Sequence, residues 1–162
     1  MAKERFELTV NGRVHEVFAE ARKLLSDVIR EDCLLTGTHV GCEHGVCGAC
    51  TIQLDGEPAR ACLVYVAQAA GRQISTIESM AADGRLSVLQ QAMHDEHGLQ
   101  CGFCTAGIIM TFDAYLRENP DPDEDQIREV LSGNLCRCTG YQNIVRAVRR
   151  AARQLQGLDD DC

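Results

Sequence analysis

Eight of the ten cysteines fall into two groups of four, and each group has a spacing that could hold a metal centre. The first group is Cys42, Cys47, Cys50 and Cys62, spaced C-x4-C-x2-C-x11-C. Its first three members share a short stretch with Gly41, Gly45 and Gly48. A loop this rich in glycine can fold back on itself and aim several backbone N–H groups at one buried anionic centre. Bridging sulfides need such donors, because no water reaches them. A cysteine triplet followed by a distant fourth is the plant-type ligand spacing of a 2Fe-2S cluster. Disulfides or a zinc ion are the alternatives, and zinc usually takes two separated cysteine pairs, which the triplet fits poorly.

The second group is Cys101, Cys104, Cys136 and Cys138, spaced C-x2-C-x31-C-x1-C. Each of its pairs directly precedes a stretch with helical periodicity, residues 105–118 and 142–156. A helix N-terminus offers unpaired N–H groups and a partial positive charge, which favour thiolates and an anionic cluster. Two antiparallel pairs of helices would bring the two cysteine pairs together. Taken alone, this set suits zinc as well as iron. Beside a plant-type set in the same chain, it reads as a second two-iron cluster.

The elements that must position these groups change character along the chain. Residues 5–18 predict a β-hairpin, with Phe6, Leu8 and Val10 alternating with polar residues, Asn11-Gly12 as the turn and Val14 and Val17 on the return. Residues 22–31 predict a helix, in which Leu24/Val28 and Leu25/Ile29 would lie on a sheet. After the cysteine loop, Thr51–Leu54 predicts a strand and Asp55-Gly56 a hairpin turn. Residues 62–66 then predict an apolar strand or strand end, and residues 73–77 a last short strand. This is the order of a small β-grasp domain, taken here as residues 1–76. From residue 77 to 162 the pattern is helical. Residues 86–93 read as a helix stopped by Gly98. Residues 105–118 follow, with Ile108, Ile109, Phe112 and Leu116 inward, and end at Asn119-Pro120. Residues 123–131 open with acidic residues, and residues 142–156 place Ile144, Val145, Val148 and Ala152 inward. The expected fold class is therefore α+β: a β-grasp, plant-type ferredoxin-like domain followed by a four-helix bundle.

Composition narrows the function. The chain has 162 residues, a formal net charge of −8 and only 4% aromatic residues with no Trp, which argues against nucleic acid or an anionic membrane as partner. No apolar run approaches transmembrane length, and the N-terminal residues lack the apolar core of a secretory signal. A cytoplasmic location follows as an expectation. In a reducing compartment, ten cysteines read as metal ligands rather than a disulfide framework. Cys33 and Cys162 are left over, Cys33 as a small core residue and Cys162 in an acidic tail expected to be disordered.

Other candidate groups are weaker. Cys42-Glu43-His44 has a C-x-H form, but a matching C-x-x-H is missing, so His44 is taken as a surface or supporting residue. His94 and His97 could share a metal on a helix, though an exposed pair is the simpler reading. Arg146, Arg150 and Arg153 form a stripe read as solvated rather than as a partner contact. No nucleophile–His–acid arrangement, phosphate loop or dinucleotide fingerprint is visible, so the chain carries electron-transfer parts and no catalytic residues of its own.

At the motifs Gly41–Cys50, Gln100–Cys104 and Gly133–Tyr141, the sequence resembles the small iron–sulfur subunits of the molybdenum hydroxylase, or xanthine oxidase, family, which include those of carbon monoxide dehydrogenase and of quinoline, nicotinate and 4-hydroxybenzoyl-CoA oxidoreductases. The resemblance runs from about Phe6 to about Arg153. It implies two 2Fe-2S clusters, a large partner subunit holding molybdenum on a pterin (molybdopterin cytosine dinucleotide), a medium subunit holding FAD, and assembly as a dimer of heterotrimers. It further implies that the C-terminal cluster lies nearer molybdenum and the N-terminal one nearer FAD, and that Gln100 and the Cys138 region contact the pterin. Ala106 departs from the proline common in the family after Cys-x-x-Cys-Thr. Alanine is a good helix former, so intact ligation is expected. A free ferredoxin-like carrier and a zinc-stabilised interaction protein remain the rivals.

Overall fold

The structure, a computed structural model, describes residues 2–81 and 83–158. It is a mixed α/β fold with a five-stranded sheet and six helices. Strands β1 (Glu4–Val10) and β2 (Arg13–Ala19) form the expected hairpin, with Asn11 and Gly12 both at positive φ. The sheet runs β2-β1-β5-β3-β4, with β3 at Thr51–Leu54, β4 at Glu57–Arg60 and β5 at Gln73–Ser75. β5 lies parallel to β1 and antiparallel to β3, closing a mixed sheet.

Two of the sequence expectations for this half need correction. The helix expected over 22–31 is shorter and later: α1 (Leu25–Asp27) passes directly into a π-turn over Val28–Asp32. The residues before it are taken by another partner. Leu24 is extended and bridges Tyr65, with Leu25 N–H donating to the Val64 carbonyl and Val66 N–H to that of Lys23. The same exchange overturns the strand expected over 62–66. That segment is a 3-10 turn (Ala61–Leu63), a single bridge at Tyr65, and then helix α2 (Val66–Ala69). Apolar character alone does not separate a buried strand from a short buried helix.

The remaining helices are α3 (Val88–Asp95), α4 (Thr105–Glu118), α5 (Glu124–Leu131) and α6 (Gln142–Leu155). Ser87 and Asp123 each accept from the backbone N–H three residues on, while Gln90 and Gln126 reach back, so both α3 and α5 start in full capping boxes. α3 stops where His97 turns left-handed before Gly98. Apolar side chains gather in two clusters. One joins Leu8, Val10, Leu25, Ile29, Ile52 and Ile74. The other joins Met93, Ile108, Phe112, Ile127, Ile144 and Val148.

Between the clusters lies a seam made largely of backbone. β3 is buried on both faces: Ile52 and Leu54 point to one cluster, while Thr51 and Gln53 meet α4. The Gln53 amide donates to the Met110 carbonyl (3.1 Å) and to Asp113 (2.8 Å), and its oxygen accepts from Arg117 (3.1 Å). A Cβ on Gly107 of α4 would stand 2.2 Å from the Gly48 carbonyl oxygen, and one on Gly48 would stand 2.4 Å from that of Gly133. Glycine is required at both, since any side chain would drive two backbones apart. At the other end of the seam, Asn11 holds Thr76 by two hydrogen bonds of 2.8 Å, one from its own amide and one to its oxygen.

Candidate functional site

The first four cysteines converge at the edge of the sheet. The loop carrying Cys42, Cys47 and Cys50 reverses through three left-handed residues, Glu43, Gly45 and Gly48. These reversals turn amides inward, and the Cys47 N–H donates to the Cys42 sulfur at 3.5 Å. That amide, followed by that of His44, pulls the Cys42 thiol down to about 6. Cys62 arrives on the 3-10 turn after β4, fixed by the Ala61 N–H bond to the Cys50 carbonyl (3.2 Å). Burial pushes its thiol up to about 11, and a hydrogen bond with Cys50 adds to this. Cys50 and Cys62 are buried, whereas Cys42 and Cys47 are partly exposed.

The second four gather where α4 and α6 begin. Cys104 is the N-cap residue of α4. The Cys101 and Cys138 sulfurs lie 3.5 Å apart and both residues are exposed; Cys104 and Cys136 are hydrogen-bonded to each other and buried. Burial, followed by the bond to Cys136, pushes the Cys104 thiol up to about 12. Burial opposes the Cys136 thiolate as well, but the Thr139 hydroxyl (3.1 Å) and the nearby amides outweigh it and lower its pKa. The turn holding Cys136 and Cys138 is closed by Tyr141, which sits at φ 69° as the N-cap of α6 and accepts the Cys136 N–H on its hydroxyl at 2.9 Å. A bulky residue held left-handed costs free energy that the surrounding contacts must offset.

In each set the sulfurs approach as pairs. Cys42 lies with Cys47 and Cys50 with Cys62; Cys101 lies with Cys138 and Cys104 with Cys136. Among the described residues, no three Cys, His, Asp or Glu side chains converge as a single-ion site. Thr105, one residue past Cys104, has a buried hydroxyl oxygen with no hydrogen-bond partner. The two sets are themselves connected: the Leu135 N–H, beside Cys136, donates to the Cys47 carbonyl at 2.9 Å.

The other candidates fall outside these centres. His44 is exposed and its ring hydrogen-bonds the Cys42 carbonyl. His94 and His97 are exposed and His94 contacts Asp95. Cys33 is buried in the sheet cluster, and burial pushes its thiol up to about 11. Arg146 and Arg150 face Asp95 and Glu96 at 3.3–3.7 Å, so this part of the stripe is paired with acids on the C-terminal side of α3 rather than merely solvated. Gln100 is exposed beside Cys101. Cys162 lies outside the described residues.

Two halves with cysteines grouped in this way define an iron–sulfur electron carrier, and comparison with known proteins agrees. Residues 35–99 match the 2Fe-2S iron-sulfur cluster binding domain family and residues 76–149 the 2Fe-2S binding domain family. The caffeine dehydrogenase subunit gamma of Pseudomonas sp. (strain CBB1) is 57% identical over 152 residues, covering 92% of this chain and 91% of that one. The crystal structure of quinoline 2-oxidoreductase from Pseudomonas putida 86 contains a chain with TM-score 0.91 and 45% identity, covering 98% of this chain and all of that one. The aldehyde oxidoreductase of Megalodesulfovibrio gigas is 44% identical over 153 residues, which span 93% of this chain but 17% of that protein. The chain belongs to the small 2Fe-2S subunits of the molybdenum hydroxylase family and is an electron-transfer component of an oxidoreductase. Among its described residues no helix is long and apolar enough to cross a membrane.

Proposed function

We propose that each sulfur pair holds one iron, so that Cys42, Cys47, Cys50 and Cys62 carry one 2Fe-2S cluster and Cys101, Cys104, Cys136 and Cys138 a second. The observation that carries this reading is the grouping of each four into two pairs. A two-iron rhomb needs two thiolates at each end, whereas one zinc ion needs four converging on a point. Such clusters, when bound, supply one-electron storage and transfer. The chain supplies thiolates, inward amides and exclusion of water on the buried side of each set. Loading displaces the protons that burial and pairing hold on Cys62 and Cys104.

The two sets belong to two units, a β-grasp domain ending near residue 76 and a four-helix domain beyond it. Cys101, Cys138 and Gln100 are exposed, with Leu99, Phe103 and Leu135 as exposed apolar neighbours. This face suits a large subunit bearing molybdenum on a pterin, with Gln100 and the Cys138 region against the pterin. Val46 and Leu63 are exposed around the first set and suit a medium subunit bearing FAD. With these groups bound, the C-terminal set would serve as the electron entry from the molybdenum side and the N-terminal set as the exit towards FAD, and the Leu135–Cys47 hydrogen bond would hold the two cysteine-bearing segments together. The aldehyde oxidoreductase supports a large partner, since the matching part there is a fraction of one longer chain. Relatives named for caffeine and quinoline favour a nitrogen-containing aromatic ring as substrate class of the complex.

Purification from the native source tests this reading. It requires about four irons and four acid-labile sulfides per chain, two distinguishable paramagnetic signals on reduction, and a copurifying polypeptide carrying molybdenum. Stoichiometric zinc without sulfide would defeat it.

A further inference from the structure

Arg60 occupies a position that the cysteine ligation does not explain. It ends β4, two residues before Cys62, and its half-buried guanidinium reaches across the seam. One nitrogen donates to the Thr51 hydroxyl at 2.5 Å and another to the Gly133 carbonyl at 2.7 Å. Thr51 in turn donates to the Gly48 carbonyl at 2.6 Å, within the first cysteine loop. Gly133 opens the segment Gly133-Asn-Leu-Cys136, whose Asn134 amide also reaches the Gly48 carbonyl (3.2 Å) and whose Leu135 N–H reaches Cys47. One planar fork thus grips both cysteine-bearing segments. Its acceptors are neutral, and among the described residues no carboxylate forms an ion pair with it. A half-buried cation normally has a nearby anion. Along the chain, Arg60 stands two residues before Cys62, and its Gly133 acceptor stands three residues before Cys136, so a member of each cysteine set follows closely on one end of the fork.

We propose that Arg60 is the positioning residue for one-electron exchange between the two centres: its fork holds the 133–136 segment on the Cys47 carbonyl, and its charge sits between the two sets as their shared counter-ion. In that exchange one centre is oxidised by one electron as the other is reduced, with no bond made and no proton required. The inference rests on the two-cluster reading. Two functions are combined in one side chain, and they can be separated. Lysine keeps the charge but cannot bridge two acceptors with a planar fork. Methionine keeps the length and loses both.

The test uses the full-length, cluster-loaded chain and the variants Arg60→Lys and Arg60→Met. Amide hydrogen exchange over residues 133–136 should accelerate roughly tenfold or more in both variants, the scale of losing a charge-assisted hydrogen bond. Redox titration followed by electron paramagnetic resonance should show both midpoint potentials falling in Arg60→Met, because a cation stabilises the more negative reduced state, and staying near wild type in Arg60→Lys. Unchanged exchange and unchanged potentials in both variants would overturn the proposal. So would loss of iron in Arg60→Lys, which would make Arg60 a prop of one ligand loop and not a link between two. A wild-type chain lacking iron and sulfide would instead defeat the metal reading itself.

Discussion

The two cysteine sets solve one chemical problem with different backbones. The first relies on a loop: three left-handed residues within 43–48 reverse the chain, and the amides so exposed favour the thiolate. The second relies on helix starts, with Cys104 capping α4 and Tyr141 closing the turn into α6. A loop centre is specified by glycines and close spacing, so its ligands are compact in sequence. A helix-start centre is specified by tertiary packing, and its two pairs are separated by 31 residues. Long separation means that the second set exists only once the helices have packed. The first set needs Cys62 alone from outside its loop.

The sharpest way to break the comparison is to remove one ligand from each side. Replacing Cys47 with Ser should abolish one paramagnetic signal and about half the iron while leaving the other signal, and replacing Cys104 should do the reverse. Loss of both signals in a folded variant would show that the sets are one centre. Next in size is the seam. Gly107→Ala would place a methyl against the Gly48 carbonyl and should destabilise the chain by about 2–4 kcal/mol, read as the midpoint shift in urea unfolding. A cost near zero would mean that the halves are not in contact there. Smaller still, Tyr141→Phe removes the acceptor of the Cys136 amide and should cost about 1 kcal/mol in stability, affecting the second set's spectrum and sparing the first. The least is expected from Cys33, which belongs to neither set. Its thiol is raised by burial from 9.0 to about 11, so the unfolded chain ionises first as pH rises. Its contribution is complete below pH 9 and is lost through the window from 9 to about 11. Cys33→Ala should therefore lose less stability over that window than wild type, measured by thermal melts.

How much of this was legible in the sequence differs between ligands and seam. The eight cysteines announce themselves by type and spacing, and α4, α5 and α6 by periodicity and caps, with boundaries off by a residue or so. β1, β2, β3 and β5 followed from alternation and from Asn11-Gly12 and Asp55-Gly56, whereas β4 at Glu57–Arg60 carries no apolar alternation and does not read as a strand. The helix at 22–31 and the strand at 62–66 misled because each gives up backbone to the other, a pairing across about forty residues that no local pattern reports. Gln53, Asn134 and Arg60 were invisible for a related reason. A polar residue facing outward on a strand reads as solvated, and only the placement of α4 over β3 buries Gln53. Tyr141 gave one hint, since Gly140 before it marks a left-handed turn, but an aromatic residue sharing that conformation runs against ordinary preference.

The glycine seam has a consequence for how distance is kept. Where side chains separate two units, spacing drifts with rotamer changes and with each substitution. Here Gly107 faces the Gly48 carbonyl and Gly48 faces the Gly133 carbonyl, with no room for a methyl at Gly48 or Gly107. The separation of the two sulfur sets is thus ruled by backbone packed directly on backbone, a gauge that rotamer changes and neutral substitution elsewhere do not readily adjust. The sheet and helix surfaces around it are free to diverge in sequence, and the gauge need not be recalibrated when they do.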